Sequence, residues 1–130
     1  MNRIFDQLKE IKNSALIPFS NYGVACVLHT DKGEFPGVNI ELDVLNLGIC
    51  AERNAIFNAL TNGMKQINHI YLLTDSKHNF GTPCGACRQA LLQFSNSETQ
   101  ITFFNLAGEH KTQKLIELLP LMWSEKDLAK

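Results

Sequence analysis

Cys50-Ala51-Glu52-Arg53 and, further along, Thr82-Pro83-Cys84-Gly85-Ala86-Cys87 are the stretches on which the reading of this chain turns. Together they offer three thiolate-capable side chains and one carboxylate. Three protein ligands make a catalytic zinc site, because the fourth coordination position stays free for water. Glu52 follows Cys50 too closely to be a casual fourth ligand and is placed to move protons to and from that water. Thr82-Pro83 reads as a helix start, with a side-chain oxygen at the N-cap and proline at the first helical position. Cys50 heads another helix, running to about Thr61, with Gly63 where a C-terminal cap is expected. Both cysteine groups therefore fall in the first turns of separate helices. Unpaired N–H groups and the helix dipole favour thiolates there.

Outward from these helices, the pattern alternates. Ile4, Phe5, Leu8 and Ile11 have helical spacing within residues 2–13, and Ile17-Pro18-Phe19-Ser20-Asn21 ends that helix. Val24 to His29 reads as a buried strand, and Asp31-Lys32-Gly33 as a turn into a second strand, Glu34 to Ile40. Residues 41–49 are irregular. A third strand spans His69 to Thr74, and Asp75 to Gly81 is a polar loop. The helix begun at Thr82 stops near Phe94, before Ser95-Asn96-Ser97. Gln100 to Asn105 is a fourth strand, Ala107-Gly108-Glu109 a turn, and Lys111 to Leu118 a strand-to-helix passage. Strands alternating with helices after an opening hairpin predict an α/β chain, a three-layer α/β/α sandwich with a mixed sheet. No repeat or linker interrupts it, so residues 1–130 are expected to form one domain.

Bulk properties narrow the function classes. The chain of 130 residues is 45% hydrophobic and 19% charged, ordinary values for a globular protein. Twelve Lys+Arg against thirteen Asp+Glu give a net charge of −1, a poor footprint for gripping a polyanion. No nucleic-acid partner is expected. Met1 to Glu10 mixes Arg3, Asp6, Lys9 and Glu10 with apolar residues, unlike a signal peptide, and no apolar stretch is long enough to span a bilayer. A cytoplasmic protein without a membrane partner is the expectation. The cytosol keeps thiols reduced, which argues against two disulfides from four cysteines. A redox Cys-x-x-Cys would explain Cys84 and Cys87 but leave Cys50-Ala51-Glu52 without a task. Zinc, one ion per subunit, accounts for both. A scaffold with structural zinc would be closed by four Cys/His ligands, and only three are evident.

A ligand-x-Glu segment followed by Pro-Cys-x-x-Cys is a known pattern of the zinc deaminases, including their three-cysteine variant. The implied reaction is hydrolytic removal of an exocyclic amine from a nucleobase. Three thiolates load the ion with negative charge and weaken bound water as an acid. Arg53, and alternatively Arg88, could restore Lewis acidity by donating hydrogen bonds to ligand sulfurs. For Arg88 a surface salt bridge is the competing reading. Cys26 reads as a buried structural thiol. His29, His69, His78 and His110 lie at strand ends or in polar loops, away from the cysteines, and none is expected to be catalytic.

With those residues in hand, the chain resembles the homotetrameric, single-domain cytidine deaminases of nucleoside salvage nearly from end to end. The likeness runs through Pro18-Phe19-Ser20-Asn21-Tyr22, Gly37-Val38-Asn39-Ile40-Glu41, Cys50-Ala51-Glu52-Arg53, Pro83-Cys84-Gly85-Ala86-Cys87-Arg88-Gln89 and Leu118-Leu119-Pro120. It implies a cytidine-deaminase-like fold and conversion of cytidine and deoxycytidine to uridine and deoxyuridine plus ammonia. The implied metal ligands are Cys50, Cys84 and Cys87, with Glu52 catalytic and Arg53 supporting the ligand sulfurs. Asn39 and Glu41 match the segment that holds the ribose hydroxyls, and Ala51 and Tyr22 fall at substrate-binding positions. Trp123 falls where an aromatic reaches a neighbouring subunit's active site, so the resemblance also implies a homotetramer with sites at its interfaces.

Departures keep a rival alive. Leu42-Asp43-Val44-Leu45-Asn46 stands where the family typically has Asn-Ala-Ser-Tyr-Gly, and Ala25 where it usually has glycine. The first stretch borders a neighbouring pocket in the family. A deaminase of a modified cytosine nucleoside, or of a blasticidin S-like antibiotic, is therefore the alternative, ahead of a non-catalytic zinc-stabilised binding protein.

Overall fold

In the computed structural model, which describes residues 1–129, the elements follow one another as α1 (Asn2–Lys12), β1 (Val24–Thr30), β2 (Gly33–Val38), α2 (Ala51–Thr61), β3 (Ile67–Thr74), α3 (Gly85–Gln93), β4 (Gln100–Phe104) and β5 (His110–Lys114). Short 3-10 turns cover Leu45–Leu47, Leu115–Leu118 and Glu125–Leu128. The strands form one sheet in the order β2-β1-β3-β4-β5. Only β3 and β4 are parallel, joined through α3, and the other pairs are antiparallel. The sheet is mixed, as expected, and helices cover both of its faces.

Successive side chains of a strand point to opposite faces. Cys26 and Leu28 of β1, Ile70 and Leu72 of β3, and Ile101 and Phe103 of β4 pack with Ala55, Ile56 and Leu91 from α2 and α3. The alternate residues Ala25, Val27, Leu73 and Phe104 pack under Leu8 of α1, flanked by Ile4, Phe5 and Ile11. Burial on both faces is why these strands read as continuous apolar runs rather than alternating ones. α1 is thus the amphipathic helix its spacing predicts, with Leu8 the residue of its stripe that is fully buried.

α2 lies unusually close to β2. A methyl group added at Gly37 would collide with the Ala51 carbonyl oxygen and the Ala55 nitrogen, so glycine there sets the distance between helix and strand. That contact holds the first turn of α2, and with it Cys50 and Glu52, against the sheet.

Several boundaries differ from the sequence reading. α3 begins at Gly85 with Cys84 as its N-cap, two residues later than Thr82-Pro83 suggested. The Thr82 hydroxyl does not cap the helix, because it accepts a hydrogen bond from Arg88 Nη2 at 3.0 Å. Cys50 is likewise an N-cap rather than a first-turn residue. β3 starts two residues early, at Ile67. The passage after Gly108 opens as a genuine edge strand, and His110, read as a loop residue, is its first member.

Candidate active site

The N-terminus of α2 and the N-terminus of α3 meet over the end of the sheet where β1 begins and β3 finishes. There the sulfurs of Cys50, Cys84 and Cys87 lie within 4.8 Å of one another. Tetrahedral zinc with Zn–S bonds of about 2.3 Å puts ligand sulfurs roughly 3.8 Å apart, so small side-chain rotations suffice to close the cluster on an ion. Cys26, although buried beneath it, is not part of the group.

The electrostatics of the three thiols agree with a metal site. Backbone N–H groups, that of Cys87 first, hold the Cys84 thiol below its ordinary value, against a smaller opposing effect of burial. Burial, followed by the nearby charge of Glu52, pushes Cys87 up. Three crowded sulfurs beside a carboxylate can all be thiolates only around a cation, and a borderline-soft ion suits that donor set. Arg53 Nη2 donates to Cys50 Sγ at 3.4 Å. The sulfurs of Cys50 and Cys87 together hold its guanidinium above its ordinary value, so this side chain is set against the cluster.

Arg88 is not. Among the described residues it is bonded to neither a ligand sulfur nor a carboxylate, and instead donates to the carbonyls of Pro83 and Leu118 as well as to Thr82. Both readings of Arg88 from sequence are therefore corrected.

Glu52 is 5% exposed and faces the same space. Burial pushes its carboxyl up, offset in part by its own backbone N–H and by Arg53. A cavity of about 180 Å³ opens beside it, walled by Tyr22, Val24, Leu72 and Thr74, with Cys50, Ala51 and Asn39 at its inner side. Val24, Leu72, Thr74 and Gly81 were not singled out from the sequence. Their signal is positional: Val24 opens β1, Leu72 and Thr74 lie near and at the end of β3, and Gly81 is in the loop that follows it. Gly81 is needed for the loop to approach: a methyl group there would lie 2.5 Å from Thr74 Oγ1 and 2.6 Å from Tyr22 Oη. Tyr22 Oη is hydrogen-bonded to Ser76 Oγ at 2.6 Å, tying that wall to the loop.

Asn39 and Glu41 border a second, open cleft that shares Asn39 and Cys50 with the small cavity. Asn39 Oδ1 accepts from the Val24 N–H and its Nδ2 donates to the Tyr22 carbonyl, both at 2.9 Å. Glu41 Oε1 accepts from the N–H groups of Phe19 and Ser20, each at 3.1 Å, and the Ser20 hydroxyl and N–H hold its carboxyl low. Leu45 and Asn46, from the atypical stretch, line the same cleft. Trp123 stands apart, against α3, where its carbonyl accepts from Gln89 Nε2 at 2.8 Å. No helix among the described residues is long and apolar enough to cross a membrane.

A family described as the cytidine and deoxycytidylate deaminase zinc-binding region matches residues 2–103. The chain is 37% identical over 116 residues to the cytidine deaminase of Mycoplasma genitalium, covering 89% of each. It is 29% identical over 130 residues to that of Sporosarcina psychrophila, covering 99% of this chain and 95% of the relative. Among solved structures, the cytidine deaminase of Burkholderia pseudomallei superposes with a TM-score of 0.86 at 30% identity, over 94% of this chain and 98% of that one. The family match over residues 2–103, with relatives and a solved structure alike over most of their length, decides the family: the chain belongs to the zinc-binding cytidine and deoxycytidylate deaminases.

Proposed function

We propose that this protein hydrolytically deaminates cytidine and deoxycytidine to uridine and deoxyuridine, with release of ammonia. The observation that carries this reading is the buried Glu52 carboxyl facing the same 180 Å³ cavity as the three clustered sulfurs. Zinc held by Cys50, Cys84 and Cys87 would supply Lewis acidity and a water activated for attack at the ring carbon that bears the amine. Glu52 takes up the two protons of that water in turn, delivering the first to the adjacent ring nitrogen and the second to the departing amine. The carbon–oxygen bond forms and the carbon–nitrogen bond breaks, and the carboxylate ends the cycle as it began.

Arg53 stabilises the ligand sulfurs through its hydrogen bond to Cys50. Tyr22, Val24 and Leu72 exclude water from the pyrimidine faces, and Ala51 completes the wall between Cys50 and Glu52. The cavity suits one small ring, so the sugar extends into the adjoining cleft beside Asn39 and Glu41. Their present hydrogen bonds to the 19–24 backbone hold these two side chains in place to receive the ribose hydroxyls. A homotetramer is part of the proposal. Phe19, Leu45 and Leu47 ring or adjoin the cleft at 59%, 69% and 64% exposure, apolar surface that other copies of the chain would cover. Trp123 then serves a neighbour's site rather than its own.

The deciding assay follows ultraviolet absorbance of cytidine with zinc-replete protein, with Glu52→Gln as control. Conversion to uridine by the wild type alone supports the reading. Turnover of a modified cytosine nucleoside but not cytidine would favour the rival, with the 42–46 stretch, which places Leu45 and Asn46 in the cleft, as the cause. Equal activity of the Glu52→Gln variant would sink the assigned mechanism.

A further inference from the structure

Between Ser76 and Cys84 the chain crosses from β3 to α3 without regular structure, and residues 77–83 take part in no backbone–backbone hydrogen bond among the described residues. Cys84 ends this loop. It is exposed and is the N-cap of α3, its carbonyl accepting from the Arg88 N–H at 2.9 Å, so its place depends both on the helix it opens and on whatever fixes the residues before it. Cys50 is likewise the N-cap of its helix but only partly exposed, and Cys87 is buried within the first turn of α3.

The Arg88 guanidinium reaches back over that first turn. Its Nε donates to the Pro83 carbonyl at 2.7 Å, its Nη2 to Thr82 Oγ1 at 3.0 Å and its Nη1 to the Leu118 carbonyl at 2.9 Å. All three acceptors are neutral, and no ion pair among the described residues involves Arg88. A planar fork can serve several acceptors in fixed directions where a lysine ammonium, a compact point charge, cannot. The acceptors come from two segments far apart in sequence, the loop ending at Cys84 and the turn Leu115–Leu118.

We propose that Arg88 is a positioning residue for the metal loop: its guanidinium fork locks Thr82-Pro83 onto α3 and the Leu118 carbonyl, and so holds the Cys84 sulfur ready for the ion without touching it. Without the fork, the loop regains freedom that must be surrendered each time Cys84 ligates. This rests on the metal assignment of the proposed function and adds to it the group that preorganises its exposed ligand.

The test measures zinc release from loaded protein into a chromogenic chelator, alongside thermal midpoints, kcat and KM. The variants are Arg88→Ala, Arg88→Lys and Gln89→Ala, the last removing the neighbouring bond from α3 to the Trp123 carbonyl. Arg88→Ala is expected to release zinc about tenfold faster, at the low end for groups that orient metal ligands. Its kcat falls while KM stays within about twofold. Arg88→Lys recovers only part of the loss, and Gln89→Ala releases zinc like the wild type. In cobalt-loaded protein, Arg88→Ala broadens or shifts the visible absorption, which mere loss of stability elsewhere would not do. Wild-type release by Arg88→Ala, full recovery by Arg88→Lys, or equal acceleration by Gln89→Ala would each overturn the proposal. If Arg88→Ala does not fold, wild-type release by Arg88→Lys overturns it alone, and faster release sustains it. A wild-type protein that takes up no zinc would instead refute the metal assignment itself, and this inference with it.

Discussion

The two faces of the sheet are built from alternate residues of the same strands, yet one carries chemistry and the other only support. On the α2/α3 face, Cys26, Leu28, Ile70, Leu72, Ile101 and Phe103 are all buried, and the cover ends where two helix N-termini converge on three sulfurs. On the α1 face, Ala25, Val27, Leu73 and Phe104 are covered, and the strands then continue past the helix. What remains there is a polar ladder. His69 Nε2 meets Thr102 Oγ1 at 2.8 Å and Thr102 Oγ1 meets Thr112 Oγ1 at 2.7 Å, while His69 and Tyr71 stack at 4.2 Å. The contrast teaches that covering a sheet makes a core, whereas aiming helix starts at one point above it makes a site.

The sharpest way to break the contrast is on the chemical face. Cys87→Ala removes a sulfur of the proposed metal cluster at a fully buried position and is expected to abolish stoichiometric zinc and all measurable turnover, read by metal analysis and the cytidine assay. Gly37→Ala comes next. The added methyl pushes α2 off β2, so both the thermal midpoint and kcat fall, because Cys50 and Glu52 ride on that helix. Leu8→Ala, on the α1 face, separates stability from function. It costs about 2–5 kcal/mol by denaturant unfolding, the usual range for a buried leucine, while kcat per folded molecule is unchanged. A comparable loss of kcat would show that the faces are coupled.

The smallest effect is expected from the polar ladder. Burial, with His29 adding to it, holds the His69 imidazole below its ordinary value. Unfolding therefore takes up a proton in the interval between the folded value and the ordinary value of about 6.5. Stability from this group is full above that ordinary value and is lost as pH falls through the folded one. Urea midpoints measured across this range should decline with acidity in the wild type and decline less in His69→Gln. Identical slopes would exclude His69 as the source.

Much of the site was legible because its chemistry is local. Cys50, Glu52, Cys84 and Cys87 sit at helix starts, and helix starts leave a sequence signature. The layers were legible too, since strands buried on both faces show as runs such as Val24 to Leu28. What escaped was set at a distance. Thr82-Pro83 carries a sound N-cap signal, but Arg88 takes the Thr82 hydroxyl and the Pro83 carbonyl, and the helix waits for Cys84. β5, reading His110-Lys111-Thr112-Gln113-Lys114, has no apolar face and is a strand only because β4 lies beside it. The cavity walls Val24, Leu72 and Thr74 are ordinary strand residues until the fold brings their ends to the cysteines.

That polar β5 has a counterpart at the other margin, where β2 carries Pro36, a residue with no N–H to offer. Both open margins of the sheet thus resist the addition of a foreign strand, one by lysines and the other by proline. A chain with so much exposed leucine and phenylalanine around its cleft can be crowded against copies of itself and still be protected from growing edge to edge into fibrils.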